Sequence, residues 1–528
     1  MSYSKLNASS ATLTKNRTED ICHLSGLCAT CVDGCLGMCE IGKSAIRGSE
    51  VIYPQPFGII TVASQKNYPI DLSHFNIMGT TTGASGIEAD SDKATFSNVD
   101  LEVKIGRRKD IKLKLPIVFC GLGSTDVAKN NWEELAAGAA ISGTIQVIGE
   151  NVCGMDNKTE IKGGRVSHSP ELKWRVGAYK NWQKDDYGAI AIQSNVEDTK
   201  LGVFEYALSN LEVDAVELKW GQGAKDIGGE VKITNLEKAQ LLKKRGYIVL
   251  PDPEDTRVIK DFKTGSFKEF ERHSRIGMVT KESFIDRVEE LRNLGAKHVF
   301  LKTGAYRPVD LARAIKYSSM AKIDMLTVDA AGGGTGMSPW RMMNEWGIPP
   351  VEIFSLTYQY ADLLAKKGEY VPSIVLAGGI TLEDQIFKVL ALGAPYIKAV
   401  GMSRAPLTAA MVGKTVGHRI LEGELPVYYG RFGGSLEEIF AEASNLKNKL
   451  RERFEELPTG AIGVYTYLQR LTQGLKQLMC GARKFSLSHI TRDDIAALTI
   501  EAAKISGIKY VMELDKEEAE RILEGKSQ

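Results

Sequence analysis

Three groups of residues in this chain have the types and spacing to do chemistry. "VFLKTG" closes an apolar run with Lys302, and "ELKWGQGAK" places Lys219, Gln222 and Lys225 close together. A lysine at the end of an otherwise apolar strand is costly unless it projects into a site or meets an anion. A solvent-facing loop lysine is the alternative. Lys219 and Lys225 can bracket a small substrate with two anionic groups if the two intervening glycines turn the chain, although a structural salt bridge also accounts for Lys219. "LAGGI" and "KAVGMSRAP" supply Gly378, Gly379, Gly401, Ser403 and Arg404. Glycines there let backbone N–H groups approach phosphate oxygens. Thr381 then starts a helix whose positive end faces the anion, and Arg404 adds a charged fork. Plain strand-to-helix turns are the alternative. Lastly, "CATCVDGCLGMC" sets Cys28, Cys31, Cys35 and Cys39 in C-x2-C-x3-C-x3-C spacing, just after Cys22 and His23.

The elements that must position these residues repeat along the chain. Eight short apolar, β-branched runs lie between about residues 115 and 405: "PIVFCGLG", "TIQVIGE", "YGAIAIQ", "AVELKWGQG", "HVFLKTG", "DMLTVDAAGGGTG", "PSIVLAGGI" and "YIKAVGMS". Continuous apolar runs are the mark of parallel strands buried on both faces. Amphipathic helical patterns such as "NNWEELAAGAAIS", "ESFIDRVEELRNLG" and "TLEDQIFKVLALG" separate several of them. The expected fold is α/β, a closed (β/α)8 TIM barrel over 115–424. A doubly wound open sheet would normally place its Gly-rich turn after the first strand, whereas here glycines cluster after the sixth to eighth runs. Barrels commonly bind phosphate at the loops after strands seven and eight. A cofactor whose reduced form is an anion would give Lys302 its partner, as in flavin barrels, where charge near the ring tunes its electronics. Residues 1–114 are expected to form a Cys-rich irregular segment, and 425–528 a helical extension with "SLEEIFAEASNLKNKLRERFEELP" as one amphipathic helix ending at proline.

Composition narrows the function. The 528 residues are 43% hydrophobic and 25% charged, with a net charge of +1, so no general attraction to nucleic acid or to an acidic membrane is expected. No apolar run has the length of a membrane span, and the polar start does not read as a secretory leader. The cytoplasm, where thiols stay reduced, is the expected compartment.

"ELKWGQGAKDIGGEV" resembles the K-x-x-Q-G-A-K-P-G-x-G-G signature of the FMN-binding synthase domain of glutamate synthases. "DAAGGGTGMSP" and "GLGSTDVAKNNWEELAAGAAISG" are similar to further segments of that family, in its order, over about 115–405. The resemblance implies FMN in a barrel, with hydride delivered to 2-iminoglutarate formed from 2-oxoglutarate and ammonia. It implies that Lys219, Gln222 and Lys225 hold the substrate and that Lys302 holds the pyrimidine edge of the flavin. It places Gly121, Leu122, Gly123, Ser124 and Gln193 along the ring, Gly332, Gly333 and Gly334 at close approach to it, and Gly378, Gly379, Gly401, Ser403 and Arg404 at the phosphate.

The chain also departs from the family. No glutaminase is expected, so ammonia would arrive free or from a partner. Asp226 and Ile227 replace the family's Pro and Gly, and "GENVCG" replaces "TGEGG", bringing in Cys153, read as a passive buried thiol. "APLTAAMVGKTVGHRILEG" lacks the three-cysteine iron–sulfur motif that follows the family's phosphate strand. The run Cys28, Cys31, Cys35 and Cys39 is expected to replace it with an iron–sulfur cluster of the [4Fe–4S] type. Structural zinc, with Cys22 and His23 in reserve, and disulfides stay open. The expected partners are a 2-oxoglutarate-like small molecule and an electron donor such as ferredoxin or a reductase subunit, in a homo-oligomer. Two other readings remain: a subunit of a redox complex acting on another amine or imine, and a barrel retained only as a scaffold.

Overall fold

All eight apolar runs become strands of one closed parallel barrel in the computed structural model, which describes residues 33, 35, 40–48, 66, 68–221, 230–333, 338–425 and 427–525. They are β1 (Ile117–Leu122), β2 (Ile145–Ile148), β3 (Ala189–Ser194), β4 (Ala215–Lys219), β5 (His298–Thr303), β6 (Met325–Asp329), β7 (Ser373–Ala377) and β8 (Ile397–Met402). Each pairs with its neighbours in chain order, and β8 closes on β1.

The runs are continuous because each strand buries two faces. Val299, Leu301, Leu326, Val328, Ile374 and Leu376 belong to the outer core between strands and helices. Val118, Val147, Ala191, Phe300, Met325, Val375 and Ala399 point to the barrel axis. Removing such a large apolar surface from water contributes roughly 25 cal/mol per Å2.

A hairpin of Val103–Ile105 and Ile111–Leu113 seals the N-terminal end of the barrel. Val103, Ile105, Ile111 and Leu113 pack into the axial cluster. Its turn is tied down by the Gly106 N–H to Ser373 Oγ at 3.2 Å and the Arg107 N–H to Asp324 Oδ1 at 3.0 Å. This end of the segment expected to be irregular is therefore ordered and closes the floor. The C-terminal ends of the strands form the opposite end of the barrel, its mouth.

The connection from β4 to β5 carries a three-stranded antiparallel sheet of Glu230–Ile233, Phe270–His273 and Ile248–Leu250, with the second strand in the centre. Toward the C-terminus the expected single amphipathic helix is divided. Helices Leu436–Ile439 and Ala443–Leu450 are followed by a 3-10 turn, Arg451–Glu456, where Arg451 has φ 54. The bends allow Phe440, Leu446, Leu450 and Phe454 all to reach the core, which outweighs helical continuity. Pro458 precedes a long helix, Thr459–Gly481, that packs on Trp132–Ile141 and Arg404–Leu421. Contact there is backbone-close: a Cβ on Gly413 would lie 3.0 Å from the Cα of both Gly460 and Gly463. Among the described residues no helix is long and apolar enough to cross a membrane.

Candidate active site at the barrel mouth

Side chains alternate along a strand, so those above the axial apolar layer also point inward. That places Gln193 two residues beyond Ala191, Lys302 two beyond Phe300, and Glu217 and Lys219 beyond Ala215. Register then sets them side by side: Lys302 pairs with Lys219 across β5 and β4, and Gln193 with Glu217 across β3 and β4.

Carboxylates hold both lysines. Lys302 Nζ lies 3.3 Å from Asp329 Oδ2 at the end of β6, and Lys219 Nζ lies 2.8 Å from Glu150 Oε1 just after β2. Gln193 Nε2 donates to Glu217 Oε1 at 2.5 Å, and Glu217 is only 1% exposed. Burial works against the Lys302 charge, but Asp329, with Cys120 and Glu217, outweighs it and keeps the ammonium well above the ordinary lysine range. Burial pushes Glu150 up, yet Lys219 beside it brings its carboxyl below the usual range. Burial raises Glu217, with Lys302 and Gln193 opposing. Glu150, Glu217 and Asp329 had no role in the sequence reading. The available signal was alternation: Glu217 stands two residues before Lys219 and so shares its face.

Two pairs of glycines shape this mouth. A Cβ on Gly123 would come 2.4 Å from the Glu150 carbonyl oxygen, and one on Gly149 2.6 Å from the Gly123 nitrogen, so the ends of β1 and β2 meet backbone to backbone. After β7, Gly378 and Gly379 have φ 115 and 94, which favour glycine. Gly378 is packed on Ala330, whereas the side of Gly379 where a Cβ would stand has no atom within 4 Å. Gly401 lies opposite Ala377 in β8 and fits against Cys120. Gly332 sits against the Gly378 carbonyl, and Gly333 leaves room for Asp329. Ser403 Oγ lies 3.5 Å from the Cys120 carbonyl, and Arg404 opens the helix Arg404–Leu421 with an exposed side chain. Gly121, Leu122 and Ser124 line the end of β1 and the loop beyond it.

One expected element differs. The helix after β7 begins at Glu383, not Thr381, and Gln385 Oε1 accepts the N–H groups of both Thr381 and Leu382. Those amides are spent within the chain and do not face an anion. Gln222, Lys225, Gly334, Asp226 and Ile227 lie outside the described residues, as do Cys22, His23, Cys28, Cys31 and Cys39. Cys35 is exposed, and among the described residues no group of three His, Cys, Asp or Glu could hold a metal. Cys153 is buried in the helix Val152–Met155, and burial pushes its thiol up to about 12, as it does for Cys120. Both are poor nucleophiles.

Behind Glu150, Asn151 adopts φ 66, and its N–H donates to Asp198 Oδ2 at 2.8 Å. Asp198 is 1% exposed, and burial pushes its carboxyl up to about 7 against the hydrogen bond from Asn151, with Glu150 adding to the rise. The unfolded value is about 3.9. The folded pKa is thus the higher one. Stability from this group is complete below the unfolded value and is lost as pH rises through about 7. Asp198→Asn, which keeps an acceptor for the Asn151 amide, is expected to flatten that dependence. Between about pH 5 and about pH 8 the wild-type Tm should fall several degrees further than the variant's. Parallel melting curves would show that Asp198 does not titrate there.

Comparison with known proteins bears on this arrangement. Residues 271–414, spanning β5 to β8, match the family model described as the conserved region in glutamate synthase. A glutamate synthase large subunit-like protein of Rhizobium meliloti (strain 1021) is 25% identical over 419 residues, covering 78% of this chain and 81% of that one. The glutamate synthase large subunit-like protein YerD of Bacillus subtilis (strain 168) is 27% identical over 194 residues, 35% of this chain and 32% of its own. Among solved structures, a mutant flavocytochrome b2 with pyruvate bound aligns at a TM-score of 0.47 and 14% identity, covering 89% of this chain and 88% of that one.

Proposed function

From a chain that carries a synthase domain of the glutamate synthase family, we propose an FMN-dependent oxidoreductase that reduces 2-iminoglutarate, formed from 2-oxoglutarate and ammonia, to glutamate. This is a reaction of the class that acts on CH–NH2 donors. The observation that carries this reading is the pair of adjacent inward lysines, Lys219 and Lys302, at the open end of a barrel whose floor is sealed. The matched region contains Lys302 and all the late glycines.

The residues present fit a phosphorylated flavin. The open side of Gly379, with Gly378, Gly401, Ser403 and Arg404, would take the phosphate. Arg404 is exposed at the start of its helix, and among the described residues no carboxylate contributes to its shift. Gly121, Leu122, Gly123, Ser124, Gln193, Gly332, Gly333 and Gly334 would lie along the ring, with Lys302 at its pyrimidine edge. When bound, FMN supplies hydride transfer between an amine or imine carbon and an electron carrier. Lys219, with Gln222 and Lys225, would orient the substrate carboxylates. Glu150 holds Lys219 in place for that contact, and Glu217 retains its proton to higher pH than an ordinary glutamate. Electrons would come from a ferredoxin-like donor or reductase subunit through an iron–sulfur cluster on Cys28, Cys31, Cys35 and Cys39.

A second reading rests on charge. Among the described residues both ammonium groups of the mouth are already paired, Lys219 with Glu150 and Lys302 with Asp329, which favours a substrate less anionic than 2-oxoglutarate, such as another amine or imine. One experiment separates the two. FMN-loaded protein, photoreduced under anaerobic conditions, should reoxidise when 2-oxoglutarate and ammonia are added together. A spectrum that stays reduced with both present would reject the first reading.

A further inference from the structure

The face opposite the mouth holds a recess of about 240 Å3. Lys114 and Leu115 enter it just ahead of β1, Ser142 ahead of β2 and Tyr187 ahead of β3, so it lies at the N-terminal ends of the strands. The long helix Thr459–Gly481 closes it with Tyr465, Gln469, Thr472 and Lys476. These are spaced at three and four residues, so one helical stripe faces the recess. Lys449, Asp100 and Glu102 complete its charged lining.

The lining charges do not neutralise one another. Lys114 Nζ stands 4.9 Å from the centre of the Tyr187 ring and 3.6 Å from Asp185, a residue outside the recess. Lys449 Nζ stands 5.6 Å from the Tyr465 ring, and Lys476 Nζ donates to the Ser97 carbonyl at 3.3 Å. Glu102 Oε2 accepts from the Tyr187 hydroxyl at 2.5 Å, and Asp100 Oδ1 accepts from the Glu102 N–H at 2.9 Å. Lys104, outside the recess, stands 3.9 Å from Glu102 Oε1. Ser142 is 4% exposed, and its Oγ, in the wall of the recess, has no hydrogen-bond partner. A buried hydroxyl left without a partner costs stability unless a ligand or water satisfies it. Burial lowers Lys449, and Lys114 adds to the effect while Asp185 opposes it.

We propose that this recess is a binding site for a small acidic amino acid. With the bordering Asp185 and Lys104 counted, four lysines and three carboxylates leave a net charge of +1, the complement of a ligand with two carboxylates and one ammonium. The volume is below the roughly 300–1,000 Å3 of drug-sized and cofactor pockets, which suits a ligand smaller than a nucleotide. The tyrosine rings can cover the methylene groups of such a ligand. The assignment does not depend on what the mouth acts on.

Isothermal titration of the full-length protein with L-glutamate, L-aspartate and 2-oxoglutarate tests it. Either amino acid should bind at micromolar to millimolar concentration. 2-Oxoglutarate, which lacks the ammonium group, should bind at this site at least about tenfold more weakly. Lys449→Gln, a change at an exposed side chain, should weaken amino-acid binding by about tenfold or more. Binding should persist in the Lys302→Met/Asp329→Asn double variant, which alters only the mouth, and Lys219→Met/Glu150→Gln provides a second mouth variant should the first fail to fold. Binding lost in the mouth variants but intact in Lys449→Gln would overturn the proposal. So would equal affinity for glutamate and 2-oxoglutarate, or no binding at all.

Discussion

Lys302→Met is expected to lower the two-electron reduction potential of the FMN-loaded protein and to weaken FMN retention by about tenfold or more. Lys302 is the buried cation of this mouth, with its side chain 13% exposed and Asp329 3.3 Å away. Losing a buried charge beside an anionic reduced ring by about 3 kcal/mol corresponds to about 65 mV for a two-electron couple. The same substitution leaves Asp329 without its partner, and breaking such a pair costs about 3–5 kcal/mol of stability. Lys302→Met/Asp329→Asn should therefore recover stability without recovering the potential. Potentiometric titration and FMN fluorescence measure the first effect, and thermal melting the second. A double variant with normal potential and normal FMN affinity would remove Lys302 from the cofactor site.

Lys219→Met should have a comparable effect through a different route. Its ammonium lies 2.8 Å from Glu150, and both side chains are mostly buried. Removing one partner strands the other as an unpaired charge, with a cost of about 2–4 kcal/mol. If Lys219 also orients a substrate carboxylate, kcat/KM should fall by about 100-fold or more, mainly through KM when the lost contact is already made in the ground state. Adding Glu150→Gln separates the roles: the Tm should return while kcat/KM stays low. Recovery of both would make Lys219 a structural partner of Glu150 and nothing more.

The contrast between these lysines and their partners marks how far the sequence could be read. Lys219 and Lys302 stood out because a charge at the end of an apolar run is costly wherever the run folds. Glu150 carried no such mark, lying in the turn after β2, whereas Glu217 within β4 and Asp329 at the end of β6 are charges in apolar runs whose partners were not legible. Their meaning arises only when the turn after β2 reaches across β3 to the end of β4, and β6 comes beside β5. Thr381 shows the opposite failure. A helix start was legible there, but the side chain that claims its amides, Gln385, lies four residues on and competes with any anion.

What the sequence determined by itself is the barrel. Eight strands buried on both faces must each be apolar throughout, and that requirement is written locally in every run. The glycines after β7 are equally local, since positive φ there disfavours other residues. Tertiary structure alone decided the floor, the ion pairs of the mouth and the recess behind it. Each depends on residues distant in the chain: Val103 meeting Phe300 inside the barrel, Glu150 meeting Lys219, and Lys449 approaching Lys114. Such contacts are set by barrel closure and by the path of the last long helix, and neither leaves a periodic trace in the segments it joins.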